Sequence, residues 1–250
     1  AEFGEGKSFQ RDVPVRLTFI NLLPTGAGGD LFIPVDESLM GAGEGPIELT
    51  PGHKEKYTQN RATIHLHGGL TPWISDGTPH QWVIPQDETS VYPQGVSTYN
   101  VPDMWFDNQN NLVAPNANPA GGKATSRQGL MTFYYTNQQS ARLMFYHDHA
   151  FGITRLNVYV GEAAGYVLTD QVEQDLIGST NLSGVKPAGL ETTAILPGIG
   201  IPLVLQDKTF VDAATIGAQD PNWHWDLDAN GNPQTGSLWV PSVYMPAQNP

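Results

Sequence analysis

Glycine and proline interrupt this chain so often that long helices are excluded: 27 glycines and 20 prolines fall among its 250 residues. Proline removes a backbone donor and glycine loses the most conformational freedom inside a helix, so only short elements survive between them. Stretches such as residues 13–23 and 130–135 run apolar, with β-branched and aromatic residues in partial alternation, which is the pattern of strands. Short strands joined by many turns predict an all-β sandwich or barrel. The hydrophobic fraction of 39% can fill its core, and the length allows one large domain or one domain with part of another.

The net charge of −13 leaves no basic surface to neutralise phosphates, which argues against a nucleic-acid partner. No apolar run is long enough to span a bilayer, and the absence of cysteine removes any disulfide framework or zinc ribbon. The chain opens without methionine, at Ala1, as a protein does once a secretion signal is removed or when a fragment is cloned. A secreted, periplasmic or cell-surface location is the expectation.

Two stretches carry a His-x-His: RATIHLHGG, with His65 and His67, and LMFYHDHAFG, with His147 and His149. Seven histidines in a chain of this length give only about 0.2 such pairs by chance. On a strand, residues i and i+2 project from one side about 7 Å apart, so each pair aims two imidazoles in one direction. Imidazole suits copper, zinc, iron or nickel, and thiolate is unavailable here. Four nitrogens fit a metal cluster better than one ion with a complete shell; the plain alternative is core histidines satisfied by backbone carbonyls. Asp148 points away from its flanking histidines, a poor ligand that is placed to orient a backbone group or a second residue. Asp76 sits in Ser-Asp-Gly, where an Asx-turn role is the simplest reading. His53, His80 and His224 stand alone.

Residues 91–129 form a long polar excursion. Residues 130–135 and 141–146 read as two strands, with Thr-Asn-Gln-Gln-Ser as their hairpin turn. Residues 153–170 begin helically and continue as two apolar strand segments broken at Gly161 and Gly165. Residues 171–199 read as a linker, and a fresh strand pattern starts at Ile201. DLDANGNPQTGS reads as a turn, because its twelfth position is Ser237 where a calcium loop requires a bidentate glutamate. A nucleophile elbow, a P-loop and a helical H-E-x-x-H are all missing.

TIHLHGG followed by Ser75-Asp76-Gly77, and then FYHDHAFGITRLNVYVGEAAGYVLTD, resemble the first two of the four copper-binding motifs of the multicopper oxidases. Their form is nearest to the branch of spore-coat laccase, bilirubin oxidase and phenoxazinone synthase, and IPLVLQDKTF resembles the opening strand of that branch's second cupredoxin domain. The resemblance covers most of residues 10–212. It implies a cupredoxin-like Greek-key β-sandwich over residues 1–170, a linker over 171–199, and the incomplete start of a second cupredoxin-like domain over 200–250. It also implies copper as the cofactor, with His65 on the type 2 ion, His67 and His147 on one type 3 ion, and His149 on the other. Asp76 takes the place of the aspartate that delivers protons near the trinuclear cluster.

The chain departs from that family in having no cysteine for a type 1 copper and only half of the cluster's histidines. The resemblance therefore implies a laccase-like oxidase completed by a second polypeptide that supplies the type 1 copper. A small aromatic reductant, a phenol or aromatic amine, gives single electrons, and dioxygen is reduced to water. Two rivals stand beside it. A single-metal cupin-like oxygenase predicts one ion with a nearby glutamate, and a copper-binding remnant predicts ligands without catalysis.

Overall fold

The computed structural model describes residues 8–100, 105–106, 112–113, 129–198, 200–201 and 203–240, with the backbone alone at 99–100, 105–106 and 112–113. Most of the polar excursion read at 91–129 lies outside the described residues. The strands are β1 (Phe9–Gln10), β2 (Val15–Ile20), β3 (Glu44–Thr50), β4 (His53–Lys56), β5 (His65–His67), β6 (Trp105–Phe106), β7 (Leu112–Val113), β8 (Leu130–Tyr135), β9 (Arg142–His147), β10 (Ala163–Thr169), β11 (Thr209–Phe210) and β12 (Leu238–Trp239). Three short helices accompany them: α1 (Thr154–Val160), α2 (Gln171–Ile177) and α3 (Ile216–Gln219). The class is all-β, as the density of glycine and proline requires.

One sheet runs in the order β1-β10-β9-β5, and β2 pairs antiparallel with β8 in another. Their facing sides close on one core, with Leu17, Met131, Phe133 and Tyr135 from the second sheet against Leu66, Met144, Tyr166 and Leu168 from the first. The two-residue period explains the choice, since Met131, Phe133 and Tyr135 share one side of β8. Two sheets across a common core make a β-sandwich, consistent with a cupredoxin-like domain. Ile64 and Leu66 are buried on the core side, which turns His65 and His67 outward.

Three local expectations change. Residues 136–140 are not a hairpin turn, because β8 pairs with β2 while β9 pairs with β10 and β5 in the opposite sheet. Both strands have a buried side, and stacking those sides across the core hides more apolar surface than pairing edge to edge. The crossing is tied down by its polar residues: Asn137 donates to the Val13 carbonyl at 2.8 Å and accepts from the Tyr166 hydroxyl at 2.8 Å. Residues 153–170 give one helix and one strand rather than two strand segments, with Gly165 inside β10. In the fresh strand pattern only Thr209–Phe210 is strand, while Ile201, Leu203, Val204 and Leu205 are exposed. An apolar strand forms only where a neighbour pairs its backbone, and no described residue does so there.

A second core gathers Ala42, Trp82, Ile84, Tyr92, Ala150 and Ile153, so the chain leaving the second histidine pair is clamped as soon as it turns off β9.

Candidate metal centre

The two histidine pairs meet because β5 and β9 are antiparallel neighbours. His65 lies directly across from His147, and His67 across from Phe145. The His65 and His147 rings are 5.3 Å apart, His67 and His147 are 5.4 Å apart, and His149 stacks on His65 at 4.6 Å. Nitrogens of His65, His67 and His147 all lie within 4.8 Å of one another, the spacing of a metal-binding group. That group holds no glutamate among the described residues, which does not favour the cupin-like alternative.

Hydrogen bonds fix which nitrogen each ring presents. His65 Nδ1 donates to the Asp76 carbonyl at 2.6 Å, His147 Nδ1 to the Asp148 carbonyl at 2.5 Å, and His149 Nδ1 to the Gly77 carbonyl at 3.0 Å. A carbonyl only accepts, so the proton sits on Nδ1 and Nε2 keeps its lone pair, which at His147 faces His67. The carbonyl-satisfied histidines of the plain alternative are therefore present, yet each keeps a ligand atom. His67 behaves differently: its Nδ1 faces His147 Nε2 at 3.2 Å. Two nitrogens about 2.0 Å from one ion at a tetrahedral angle are separated by roughly 3.3 Å, so the observed gap fits a shared metal.

The turn before the second core serves both pairs. Asp76 caps the 3-10 turn Trp73–Ser75, and its carbonyl and that of Gly77 hold one histidine from each motif. Gly77 has φ +65°, and a Cβ there would collide with the Ile64 carbonyl, so only glycine fits. The Asp76 carboxylate accepts from Thr71 Oγ1 at 2.8 Å and stands 3.7 Å from His65 Nδ1, with its side chain 34% exposed.

Electrostatics favour the neutral form of His147, the form that binds metal. Burial holds His147 below the usual histidine range, and the neighbouring His65, His149 and His67 push the same way against its bond to Asp148. Behind the rings, Asp148 is 3% exposed and Arg61 only 1%. Burial raises the Asp148 carboxyl, opposed by donors from Thr63, Ala150 and Asn157 and by the Arg61 charge. Burial lowers the Arg61 guanidinium to about 10, so it stays charged at neutral pH.

Three expected ligands, His65, His67 and His147, are thus brought to ligand spacing; His149 stacks on His65 without joining that group, and Asp76 approaches His65. His80 packs its ring on Phe151 at 4.7 Å, and His224 donates to the Asn222 carbonyl; neither joins the ligand-spaced group. The roles of Gly77, Arg61 and Asn157 were not visible in the sequence. Asn157 alone carried a signal, as a polar residue amid Leu156, Val158 and Val160.

No family model matches the chain. A laccase from Bacillus stratosphericus is 26% identical over 235 residues, 93% of this chain and 32% of the relative. Bilirubin oxidase from Albifimbria verrucaria is 36% identical over 105 residues, 40% of this chain and 16% of the relative. The chain is similar to multicopper oxidases of these two kinds. It spans at most about a third of the length of the multicopper oxidases it matches. Among solved structures, a laccase from Pediococcus acidilactici aligns with 48% of this chain and 17% of its own, at 22% identity and a TM-score of 0.29.

Proposed function

We propose that this chain carries half of the trinuclear copper cluster of a laccase-like oxidase. The enzyme oxidises phenols or aromatic amines one electron at a time and reduces dioxygen to water. The observation that carries the reading is the ligand-spaced group of His65, His67 and His147 with His149 stacked on His65, three of the four rings having Nδ1 committed to a carbonyl and an unprotonated Nε2. Copper held by these histidines would supply one-electron redox chemistry. His65 serves the type 2 ion, His67 and His147 share one type 3 ion, and His149 serves the other; the 3.2 Å separation of His67 Nδ1 and His147 Nε2 supports the shared pair. Asp76 holds a proton at its carboxylate and passes it from solvent towards the cluster, a role supported by its partial exposure and its 3.7 Å approach to His65.

Four imidazoles and no cysteine leave the copper set to be completed elsewhere. The source is a second polypeptide carrying the type 1 copper, or further residues of the same polypeptide where this chain is a piece of it. We place the first domain at residues 1–170 and the start of the next at 200–250, and we expect the assembly outside the cytoplasm.

The test is dioxygen uptake by the copper-loaded complete protein with a phenol, an aromatic amine, or a ferrous, manganous or cuprous ion as donor. Uptake with an aromatic donor, abolished by a copper chelator and yielding water, is the expected result. Uptake with metal ions alone would move the substrate class. No uptake with any donor would overturn the enzymatic reading in favour of a copper-binding module.

A further inference from the structure

The antiparallel register that sets His65 opposite His147 would set Thr63 opposite His149 two residues on, but the ladder ends at His147. The Thr63 backbone N–H, which the ladder would have engaged, donates instead to Asp148 Oδ1 at 2.9 Å. Asp148 Oδ2 accepts from the Ala150 backbone N–H and from Asn157 Nδ2, both at 2.9 Å. One buried carboxylate therefore grips the strand of the first pair, the exit of the second pair and helix α1. Substituting a side-chain bond for a ladder bond frees the backbone at His149, whose ring is then able to lie on His65 and reach the Gly77 carbonyl.

A tie runs the other way as well. Arg61, four residues before His65, sends one Nη2 into the second motif's exit, donating to the Phe151 carbonyl at 2.6 Å, and donates also to the Gly41 carbonyl. Its Nη1 donates to the Thr58 carbonyl at 2.8 Å, and the ring of Tyr57 lies 5.0 Å below the guanidinium. Asp148 thus reaches from the second motif to the first, and Arg61 from the first to beyond the second.

We propose that Asp148 and Arg61 form a reciprocal clasp that sets the distance between the two histidine pairs, and that both are positioning residues for the copper cluster. The proposal rests on the copper-site reading above and deepens it. Neither residue offers an atom to the metal. Each acts through the backbone that carries the ligands, and groups that orient metal ligands in this way typically change affinity by about 10- to 100-fold when replaced.

The test compares copper affinity, by competition with a chelator, and melting temperature for the complete protein and for Asp148→Asn, Arg61→Lys and Asn157→Ser. Leu168→Ala and Tyr166→Phe serve as controls, since both perturb the core side of the same sheet without touching the clasp. The expected result is a loss of copper affinity of about 10-fold or more in the clasp variants, while controls with equal melting-temperature losses keep wild-type affinity. Asn157→Ser, which removes a single donor, carries the test where Asp148→Asn fails to fold. Copper affinity that is unchanged, or that falls equally in clasp and control variants, would overturn the proposal. A folded wild-type protein that takes up no copper would instead overturn the copper-site reading itself.

Discussion

The two histidine pairs look alike in sequence and are held in different ways. His147 sits at the end of β9, an inner strand flanked by β10 and β5, and is 8% exposed. His67 sits on β5 at the edge of that sheet and is exposed, with the Phe145 ring stacked on it at 4.6 Å and His147 as its nitrogen partner. His147 is built into the sheet and His149 lies just past its end, whereas the first pair lies on the sheet's margin. Each pair has one histidine held by a part that is not a strand, His65 by the Asp76 carbonyl and His149 by the Gly77 carbonyl.

The largest perturbation should erase this difference. Phe133, fully buried between the sheets, touches neither pair, and Phe133→Ala should cost about 3–5 kcal/mol in a chemical melt. Both pairs should then lose copper together, as the sandwich loosens. Gly77→Ala should separate copper affinity from stability. Its positive φ and the collision with Ile64 should cost roughly 1–3 kcal/mol and release the carbonyls that hold His65 and His149, so copper affinity should fall further than the melt alone explains.

A pH experiment addresses the inner side. Glu162, just ahead of β10, is pushed to about 7, first by burial and then by the charge of Asp148. An acid raised above its unfolded value contributes stability that is fully present below about 4.5 and is lost as the pH rises through 7. The Glu162 contribution should therefore decline between those values, and Glu162→Gln should remove that decline, leaving the variant more stable by about 1–3 kcal/mol at pH 8. Urea melts at pH 4 and pH 8 measure this, and parallel curves for the two proteins would contradict it. The smallest effect belongs to the edge: Phe145→Ala should remove a stacking contribution of about 0.5–1.5 kcal/mol, weakening copper binding a few-fold with little change in the melt.

Much of this arrangement was legible in the residues. The interruptions by glycine and proline gave the all-β class, and the alternation in TIHLH placed Ile64 and Leu66 inward with the histidines outward. Asp148 was readable as facing away from the cluster, because strand geometry leaves little choice. What it grips was not readable, since Thr63 lies 85 residues away and only the sheet order brings it near, while Asn157, 9 residues away, arrives on helix α1. The crossing at residues 136–140 departs from the expected hairpin for the same reason: a polar turn between two amphipathic strands is compatible with a hairpin or with a change of sheet. Asn137 and Gln139 show which one holds only through their long-range partners, Val13 and Gly68. The Asp76–Gly77 turn was noticed for its carboxylate, whereas its carbonyls do the holding.

Native mass spectrometry of the copper-loaded complete protein, wild type against His147→Ala, tests the central claim most directly. If the two pairs form one cluster, the wild type should carry more than one copper in the site they share. Removing the buried histidine should then lower the count by at least one ion in a protein that remains folded. A wild type that binds no copper, or a His147→Ala variant with an unchanged count, would contradict a metal centre built from these four histidines.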